Sequence, residues 1–265
     1  MVKKRVITAL CGIPLLVAVV WFDEPLPWFT IVIAIWGLLA AFEFYRMVAV
    51  SKVLSLTILG LFWTLLFILH PHFNFSVPLL LTSAIVLSMI LLVLRSSRDG
   101  AFASWAWTIA GILYVGWLLS YLVALRLDAG RDWVFFTLFT TFGSDTAAFY
   151  IGRAFGKHYL APRISPKKTW EGAIAGVLGA IVVSLLFTLP TPISLHLSYG
   201  QAILLGLLVS IFGQFGDLSE SLLKRNMGVK ESGTLVPGHG GILDRMDSIV
   251  FAGVVVYLYY TFVVL

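Results

Sequence analysis

The sequence predicts an all-α integral membrane protein, a polytopic bundle of about nine transmembrane helices. Of the 265 residues, 60% are hydrophobic and only 12% are charged, whereas a typical soluble domain is about 25% charged. The apolar stretches run for about 20 residues, the length of a helix that crosses the hydrocarbon core of a bilayer. They do not alternate with polar residues as the strands of a membrane barrel do. Helices also satisfy their own backbone groups in lipid, so helices are the expected elements.

About nine apolar segments follow one another along the chain, with short polar stretches between them. A first group of helices is expected within residues 1–100, and the others within residues 101–265. The second region also contains two polar loops, at 153–170 and 225–246. We expect the individual membrane segments near residues 6–22, 27–46, 53–70, 77–95, 103–125, 132–152, 170–189, 199–224 and 247–265.

The basic residues predict the orientation of the chain. With the N-terminus inside the cell, all but two of the 18 lysines and arginines fall on the cytoplasmic side, the exceptions being Arg126 and Arg131. Membrane proteins concentrate lysine and arginine in this way. We therefore expect a multi-pass protein of the cell inner (plasma) membrane, with both polar loops on the cytoplasmic face. Topology explains the net charge of +5 better than nucleic-acid binding does, and the single cysteine, Cys11, excludes an internal disulfide and a cysteine-ligated zinc site.

Asp145 and Glu43 are carboxylates within apolar segments. Asp145, in the stretch Ser144–Thr146, is expected to be functional because charged side chains are costly in a membrane, with a structural ion pair as the alternative. Glu43 lies one helical turn before Arg46, so a local salt bridge is expected there. Small residues spaced four apart are expected to pack helices closely: Ala148, Gly152 and Gly156, and further on Gly172, Gly176 and Ala180.

Two lysines follow a predicted helix start in the first polar loop. Ser165 and Pro166 are typical of the N-cap and first positions of a helix, which places Lys167 and Lys168 in its first turn. Cations at that end oppose the helix dipole. The conflict disappears if an anion binds there, and the alternative is that both lysines only mark topology.

Polar residues line one face of the eighth segment near its end. Gln214, Asp217, Ser221 and Lys224 are spaced so that they share this face, with Glu220 at its border.

A glycine-rich loop follows. In the stretch Pro237–Gly241, the glycines leave backbone N–H groups open to a phosphate. His239 is expected to donate a hydrogen bond to phosphate or to anchor the loop. Asp244 and Asp247, one turn apart on either side of Arg245, can share a hard cation.

This second group of residues resembles the signature of the phosphatidate cytidylyltransferases, also called CDP-diacylglycerol synthases. The match extends over about 27 residues and comprises Ser221, Lys224, Arg225, Lys230, Gly233, Pro237–Gly241, Asp244, Arg245 and Asp247. The stretches Ser144–Thr146 and Ser165–Glu171 are similar to the same family, whereas the first hundred residues carry little family signal. The chain departs from the family at Glu231, where aspartate is usual, and at Val236, where leucine, isoleucine or phenylalanine is expected.

The resemblance implies that CTP and phosphatidic acid give CDP-diacylglycerol and pyrophosphate, with Mg²⁺, in phospholipid biosynthesis. The lipid phosphate would attack the α-phosphorus of CTP, and cations and N–H donors would stabilise the charge that gathers there. The partners are then CTP, phosphatidic acid and membrane lipid. A second cation and a homodimer are left open.

The same resemblance suggests roles for individual residues, within a catalytic region that spans 101–265. The proposed catalytic residues are Asp217, Asp244, Asp247 and Lys224, and the proposed Mg²⁺ ligands are Asp145, Asp217, Asp244 and Asp247. The proposed substrate-binding residues are Ser165, Lys167, Lys168, Ser221, Arg225, Lys230, Gly238, His239, Gly240, Gly241 and Arg245.

Other functions fit the sequence less well. Another membrane enzyme that uses CTP, acting on a different lipid phosphate or as a polyprenol-type kinase, is the closest alternative, because the motifs do not report the acyl chains. A CDP-alcohol phosphotransferase would need several aspartates at fixed spacing, which are absent. A transporter would commonly show repeated halves and charges at the midplane, whereas the charges here gather on one side.

Overall fold

The computed structural model describes residues 12, 14–48, 54–94, 100–235 and 240–265, and these are helical apart from loops and one short hairpin. Each predicted membrane segment coincides with helix in this part of the chain. Residues 14–21 form α1. The other helices are α2 (Trp28–Met47), α3 (Leu54–Phe73), α4 (Val77–Leu94), α5 (Ala101–Gly111), α6 (Leu118–Asp128), α7 (Arg131–Phe155), α8 (Trp170–Leu186), α9 (Tyr199–Asn226) and α10 (Leu243–Tyr259). A π-helical turn, Ile112–Trp117, joins α5 to α6, and another, Tyr260–Val264, follows α10.

Six helical stretches among the described residues are long and apolar enough to cross a membrane. They are Trp28–Met47, Leu56–Phe73, Val77–Leu94, Ala101–Asp128, Tyr199–Asn226 and Leu243–Val264. Helix α8 is also apolar but has only 17 residues. These lengths confirm the prediction of an all-α, multi-pass membrane protein.

The chain divides into two compact units. The first contains Met1–Leu127 and Glu231–Asp244, and the second contains Asp128–Lys230 and Arg245–Leu265. The sequence had grouped everything after residue 100 together, but α5 and the π-helical turn pack with the N-terminal helices. At Gly116 in that turn, an added Cβ would lie 2.9 Å from the Cα of Thr64 in α3.

The first unit packs around Tyr45, which is fully buried. The Tyr45 hydroxyl donates a hydrogen bond to the Thr108 carbonyl at 3.2 Å, which ties α2 to α5. A Cβ at Gly60 or Gly111 would collide with the Tyr45 ring. Glycine at these two positions therefore lets α3 and α5 approach α2 closely.

In the second unit, α7 and α8 pack through the small residues that the sequence predicted to be contacts. A Cβ at Gly152 would lie 3.2 Å from the Cα of Gly172, and a Cβ at Gly172 would lie 2.9 Å from the Ala148 carbonyl oxygen. Gly176 faces Ser144 and Ala148 at similarly short range. The prediction of close helix packing at these positions is confirmed, because only residues without bulky side chains permit this approach.

Helix α9 packs on its neighbours by the same means. A Cβ at Gly206 would lie 2.8 Å from the Ile181 Cα in α8. A Cβ at Gly216 would collide with the Asp247 carbonyl oxygen in α10. Ser198 caps the start of α9, and its side chain and that of Gln201 exchange hydrogen bonds with the backbone.

A two-stranded antiparallel hairpin connects α7 to α8. Strand β1 is Tyr159–Ala161 and strand β2 is Ser165–Thr169, with an irregular register between them. Proline is tolerated in such a strand, where it lies at an edge or a bulge, and Pro166 does so here.

The prediction that Ser165 and Pro166 begin the next helix is therefore wrong. Helix α8 begins at Trp170, and the Thr169 side chain accepts a hydrogen bond from the Gly172 N–H as its N-cap. Both Ser165 and Thr169 are cap-forming residues, but pairing with β1, through Ser165 and Thr169 themselves, keeps the residues between them extended. Lys167 and Lys168 thus lie in a β-strand, so the helix-dipole argument for an anion site does not apply to them.

We predict that Gly172→Ala destabilises the protein and that Gly200→Ala does not. Both glycines lie in the first turn of a helix, but a Cβ at Gly172 meets backbone of α7, whereas a Cβ at Gly200 meets nothing within 4 Å. Forcing extra volume into such a contact costs about 1–3 kcal/mol. Thermal unfolding in detergent should show a lower midpoint for Gly172→Ala only. Equal midpoints for the two variants would contradict the close α7–α8 contact.

Candidate active site

An ion pair joins the two polar motifs that the sequence singled out. The Lys168 Nζ in β2 lies 2.6 Å from Asp217 Oδ2 in α9. Both side chains are partly exposed, at 25% and 33%. The Ser221 hydroxyl, one turn further along α9, donates to Asp217 Oδ1 at 3.3 Å. The structure thus brings Lys168 to Asp217 and Ser221, although Lys168 is more than 40 residues before either of them in sequence.

Two further aspartates, from two other helices of the second unit, lie near this ion pair. Asp145 lies within electrostatic range of Asp217, Lys168 and Arg245, and Asp247 lies within range of both other aspartates. The tight contact between Gly216 and the Asp247 backbone explains how α10 comes so close to Asp217. Like charges held this near to one another repel, and nearby cations offset that repulsion.

The protein supplies part of that positive charge. Lys168 contacts Asp217 directly, and Lys168 and Arg245 both act electrostatically on Asp145. Arg245 is solvent-exposed, so its guanidinium can also reach an arriving anion. The arrangement is therefore a mixed cluster of carboxylates and basic groups, which suits both a hard cation and a phosphate.

The carboxylates do not form a ready-made metal cage. Among the described residues, no three His, Cys, Asp or Glu side chains are grouped closely enough to hold a metal ion. Mg²⁺ commonly takes only one or two carboxylates and completes its shell with water and substrate phosphates. One or two carboxylates from the set Asp145, Asp217 and Asp247 fit that mode of binding.

A polar network that includes Ser144, the neighbour of Asp145 in sequence, lies between α7, α8 and α9. The Ser144 and Ser210 hydroxyls are 2.7 Å apart. The Gln214 amide donates to Ser210 Oγ at 3.0 Å and to the Ala173 carbonyl at 3.1 Å. Ser210 was missed from the sequence, although its position four residues before Gln214 placed it on the same helix face.

Lys224 is paired within its own helix. Its Nζ lies 2.6 Å from Glu220 Oε2, and Glu220 is fully buried while Lys224 is nearly so. The sequence placed Lys224 among the catalytic residues and Glu220 at the border of the polar face. The ion pair agrees with that position, because residues four apart on a helix are neighbours, and the Lys224 ammonium compensates the Glu220 charge inside the unit.

The remaining basic residues of the second unit lie near its surface. Arg225 donates to the carbonyl oxygens of Ile164 and Val229, each at 3.2 Å, and so ties the end of α9 to the hairpin. Lys167 and Lys230 are exposed, and Ser165 is half-buried. Their roles in substrate binding stay predictions.

In the first unit, Asp244 binds both described ends of the loop that contains the glycine-rich stretch, residues 231–235 and 240–243, called the glycine-rich loop from here on. Its Oδ2 accepts hydrogen bonds from the Ser232 N–H and hydroxyl, each at 3.0 Å, and from the Gly241 N–H at 2.8 Å. The expectation that the Gly241 N–H is open to phosphate is therefore wrong for this structure. Gly240 has φ +87°, which favours glycine. Gly238 and His239 lie outside the described residues.

Glu43 also contacts this loop, contrary to the expected salt bridge with Arg46. Its side chain is buried, and Oε2 accepts hydrogen bonds from the Ser232 hydroxyl at 3.1 Å and the Leu243 N–H at 3.0 Å. Arg46 is exposed instead. Local spacing could not reveal these partners, because they lie about 200 residues further along the chain.

A model of the cytidylyltransferase family matches residues 3–263, which is nearly the whole chain. The chain belongs to the cytidylyltransferase family. A phosphatidate cytidylyltransferase of Bacillus subtilis is 35% identical over 97% of this chain and 96% of its own length. One from Brucella suis is 43% identical over 58% of this chain and 56% of its own length. A chloroplastic phosphatidate cytidylyltransferase of Arabidopsis thaliana is 39% identical over 69% of this chain and 52% of its own length.

In this member of the cytidylyltransferase family, the second unit holds most of the proposed site. It brings together Asp145, Lys168, Asp217 and Asp247, with Ser221 beside them. The family match extends through the N-terminal helices as well, where the sequence alone had shown little family signal.

Proposed function

We propose that the chain is a Mg²⁺-dependent phosphatidate cytidylyltransferase, which transfers the CMP group of CTP to phosphatidic acid. The relative that matches almost the full length of the chain carries that name. The observation that supports it most directly is the Lys168–Asp217 ion pair, which joins the hairpin motif to the carboxylate cluster. A site of this kind suits a reaction between two phosphate groups.

The reaction forms one phosphorus–oxygen bond and breaks another. A phosphate oxygen of phosphatidic acid attacks the α-phosphorus of CTP, and the bond from that phosphorus to the oxygen bridging to the β-phosphate breaks. Pyrophosphate leaves with that oxygen, and the products are CDP-diacylglycerol and pyrophosphate. Because both reactants are anions, catalysis depends mainly on positioning and on offsetting negative charge.

Basic residues of the second unit offset the negative charge of the two reactants. Lys168 and Arg245 lie where they act on the carboxylate cluster, and either can bind a phosphate oxygen through a charge-assisted hydrogen bond. Arg225 fixes the hairpin against the end of α9, which keeps Lys168 close to Asp217.

The aspartates are the groups that would hold Mg²⁺. Asp145, Asp217 and Asp247 share one unit, and Asp244 is retained as a ligand on the resemblance of the sequence motif. When bound, Mg²⁺ neutralises phosphate charge and favours departure of pyrophosphate. The apolar surfaces of the membrane helices leave the acyl chains of the lipid substrate in the bilayer.

The distribution of basic residues supports placing the site at the cytoplasmic face of the inner membrane, with the N-terminus inside. The C-terminal ends of α7 and α9 are basic, which agrees with this orientation. Arg153 is in the last turn of α7, and Lys224 and Arg225 are in the last turn of α9. CTP would then reach the site from the cytoplasm.

Purified protein should convert CTP and phosphatidic acid into a cytidine-labelled lipid and pyrophosphate. The activity should disappear with a chelator and return with added Mg²⁺, because charge neutralisation at the phosphates is then lost and restored. A panel of other lipid phosphates and polyprenols, assayed in parallel, separates this activity from those of other CTP-dependent membrane enzymes. Transfer to a different acceptor only, or unchanged transfer in chelator, would contradict the proposal.

We predict that Asp217→Asn and Asp145→Asn each lower kcat by about two orders of magnitude or more, as is typical when a main electrostatic element is removed. Asp132→Asn is the matched control. It makes the same substitution on the same helix as Asp145, about 20 Å away along α7, where Asp132 contacts only its neighbour Arg131 among the ion pairs of the described residues. Near-normal turnover in both site variants, or an equal loss in Asp132→Asn, would contradict the proposed site.

Cysteine labelling should test the proposed orientation in a Cys11→Ser background. Arg163→Cys in the hairpin and Thr234→Cys in the second loop are exposed positions, and both should resist a membrane-impermeant reagent added to intact cells. Thr191→Cys, an exposed position after α8, should react with it. The reverse pattern would overturn the cytoplasmic placement.

A further inference from the structure

Glu43 is a buried carboxylate that the sequence motifs and the proposed chemistry do not use. It lies near the end of α2, and only 3% of the residue is exposed. A buried carboxylate is costly unless hydrogen bonds compensate it. Glu43 Oε2 receives two such bonds, from the Ser232 hydroxyl at 3.1 Å and the Leu243 N–H at 3.0 Å.

The Leu243 N–H is one of the backbone groups that a helix start leaves free, because Leu243 is the first residue of α10. A carboxylate is a favourable partner at that end, where the helix dipole is positive. Glu43 therefore caps the first turn of α10 from a helix early in the chain, a role usually filled by a residue next to the helix.

Two glycines of the loop leave room for the Glu43 side chain. A Cβ at Gly233 or at Gly241 would collide with the Glu43 carboxylate. The position of Glu43 therefore explains why these two residues are glycines, whether or not the loop also binds substrate.

Ser232 links Glu43 to a second carboxylate. Its hydroxyl lies 3.1 Å from Glu43 Oε2 and 3.0 Å from Asp244 Oδ2. A hydroxyl has a single proton to donate, so it can serve only one of these oxygens at a time. The same Asp244 oxygen holds the Ser232 and Gly241 N–H groups. Both described ends of the loop are therefore fixed to the pair formed by Glu43 and Asp244.

We propose that Glu43 is a positioning residue for nucleotidyl transfer, which holds the described ends of the glycine-rich loop, Ser232–Gly233 and Gly241–Leu243, in their active shape without touching substrate. The inference rests on the proposed function for its kinetic consequence, but the loop contact stands on the hydrogen bonds alone. The required feature is a hydrogen-bond acceptor at the end of a side chain of this length, which glutamine also supplies.

Three variants of α2 test this role. Glu43→Met keeps the length of the side chain but removes the acceptor, and kcat/KM for CTP should fall about ten- to hundredfold, the effect of losing a hydrogen bond to a charged group. Glu43→Gln should recover most of that loss, to within about threefold of the wild type. Arg46→Gln, an exposed position one turn away, should match the wild type, whereas a local Glu43–Arg46 pair would require it to behave like Glu43→Met.

Hydrogen exchange provides a readout that is separate from activity. Peptides covering 231–235 and 240–246 should exchange faster in Glu43→Met than in the wild type, and at the wild-type rate in Glu43→Gln. Wild-type exchange and kinetics in Glu43→Met, or failure of Glu43→Gln to recover either, would overturn the positioning role. Absence of CTP-dependent transfer in the wild-type protein would instead count against the proposed function, and the exchange comparison would still decide whether Glu43 holds the loop.

Ser232→Ala is a second test of the positioning role, for use if Glu43→Met does not fold. It removes the shared hydroxyl and leaves the Leu243 N–H bound to Glu43, so its kinetic and exchange effects should have the same direction and a smaller size. Adding Glu43→Gln to Ser232→Ala should leave the loss close to that of Ser232→Ala alone, because glutamine still accepts a hydrogen bond from the Leu243 N–H. No effect of Ser232→Ala on kinetics or exchange, or a further large loss in the double variant, would contradict the positioning role.

Discussion

Carboxylates between membrane helices require compensating charge, and this constraint shapes the second unit. Asp145, Asp217 and Asp247 come from three different helices and act on one another electrostatically. The Lys168–Asp217 ion pair offsets part of their repulsion and at the same time fixes the hairpin to α9. The buried charge of Glu220 is compensated differently, by a lysine of the same helix, Lys224, one turn away. A phosphate-transfer site can use the same balance, because an arriving nucleotide and its cation add charges of both signs.

Small residues make this arrangement of charges possible. Gly152 and Gly172 let α7 and α8 come together, and Gly216 lets α10 approach α9 beside Asp217. Helix association in a membrane has little hydrophobic driving force, so close packing and polar contacts have to supply the stability. The Ser144–Ser210 contact and the Gln214 hydrogen bonds provide the polar contacts between these helices, close to the aspartates. The packing that supports the unit and the geometry of the site are therefore parts of one arrangement.

Features that depend on local sequence could be predicted, and features that depend on distant contacts could not. The apolar runs predicted the helices because length and hydropathy are local properties. The four-residue spacing of small residues in each helix, around Gly152 and after Gly172, predicted a helix contact. The sequence placed the start of α8 four residues too early. Ser165 and Thr169 are both residue types that favour N-caps, and only the hairpin pairing shows that Thr169 is the cap. The partners of Glu43 could not be inferred, because nothing near it in the chain indicates Ser232 or Leu243. The Glu220–Lys224 pair could have been predicted from its i,i+4 spacing.

The most direct test of the account is a double-mutant cycle on kcat/KM with Lys168→Gln and Asp217→Asn. If the ion pair joins the hairpin to the carboxylate cluster, each single variant disrupts the same contact. The double variant should then be only slightly worse than the poorer single variant, which is strong non-additivity between residues in contact. Losses that multiply, with no coupling between the two positions, would show that Lys168 and Asp217 act separately and would contradict the central role of their ion pair.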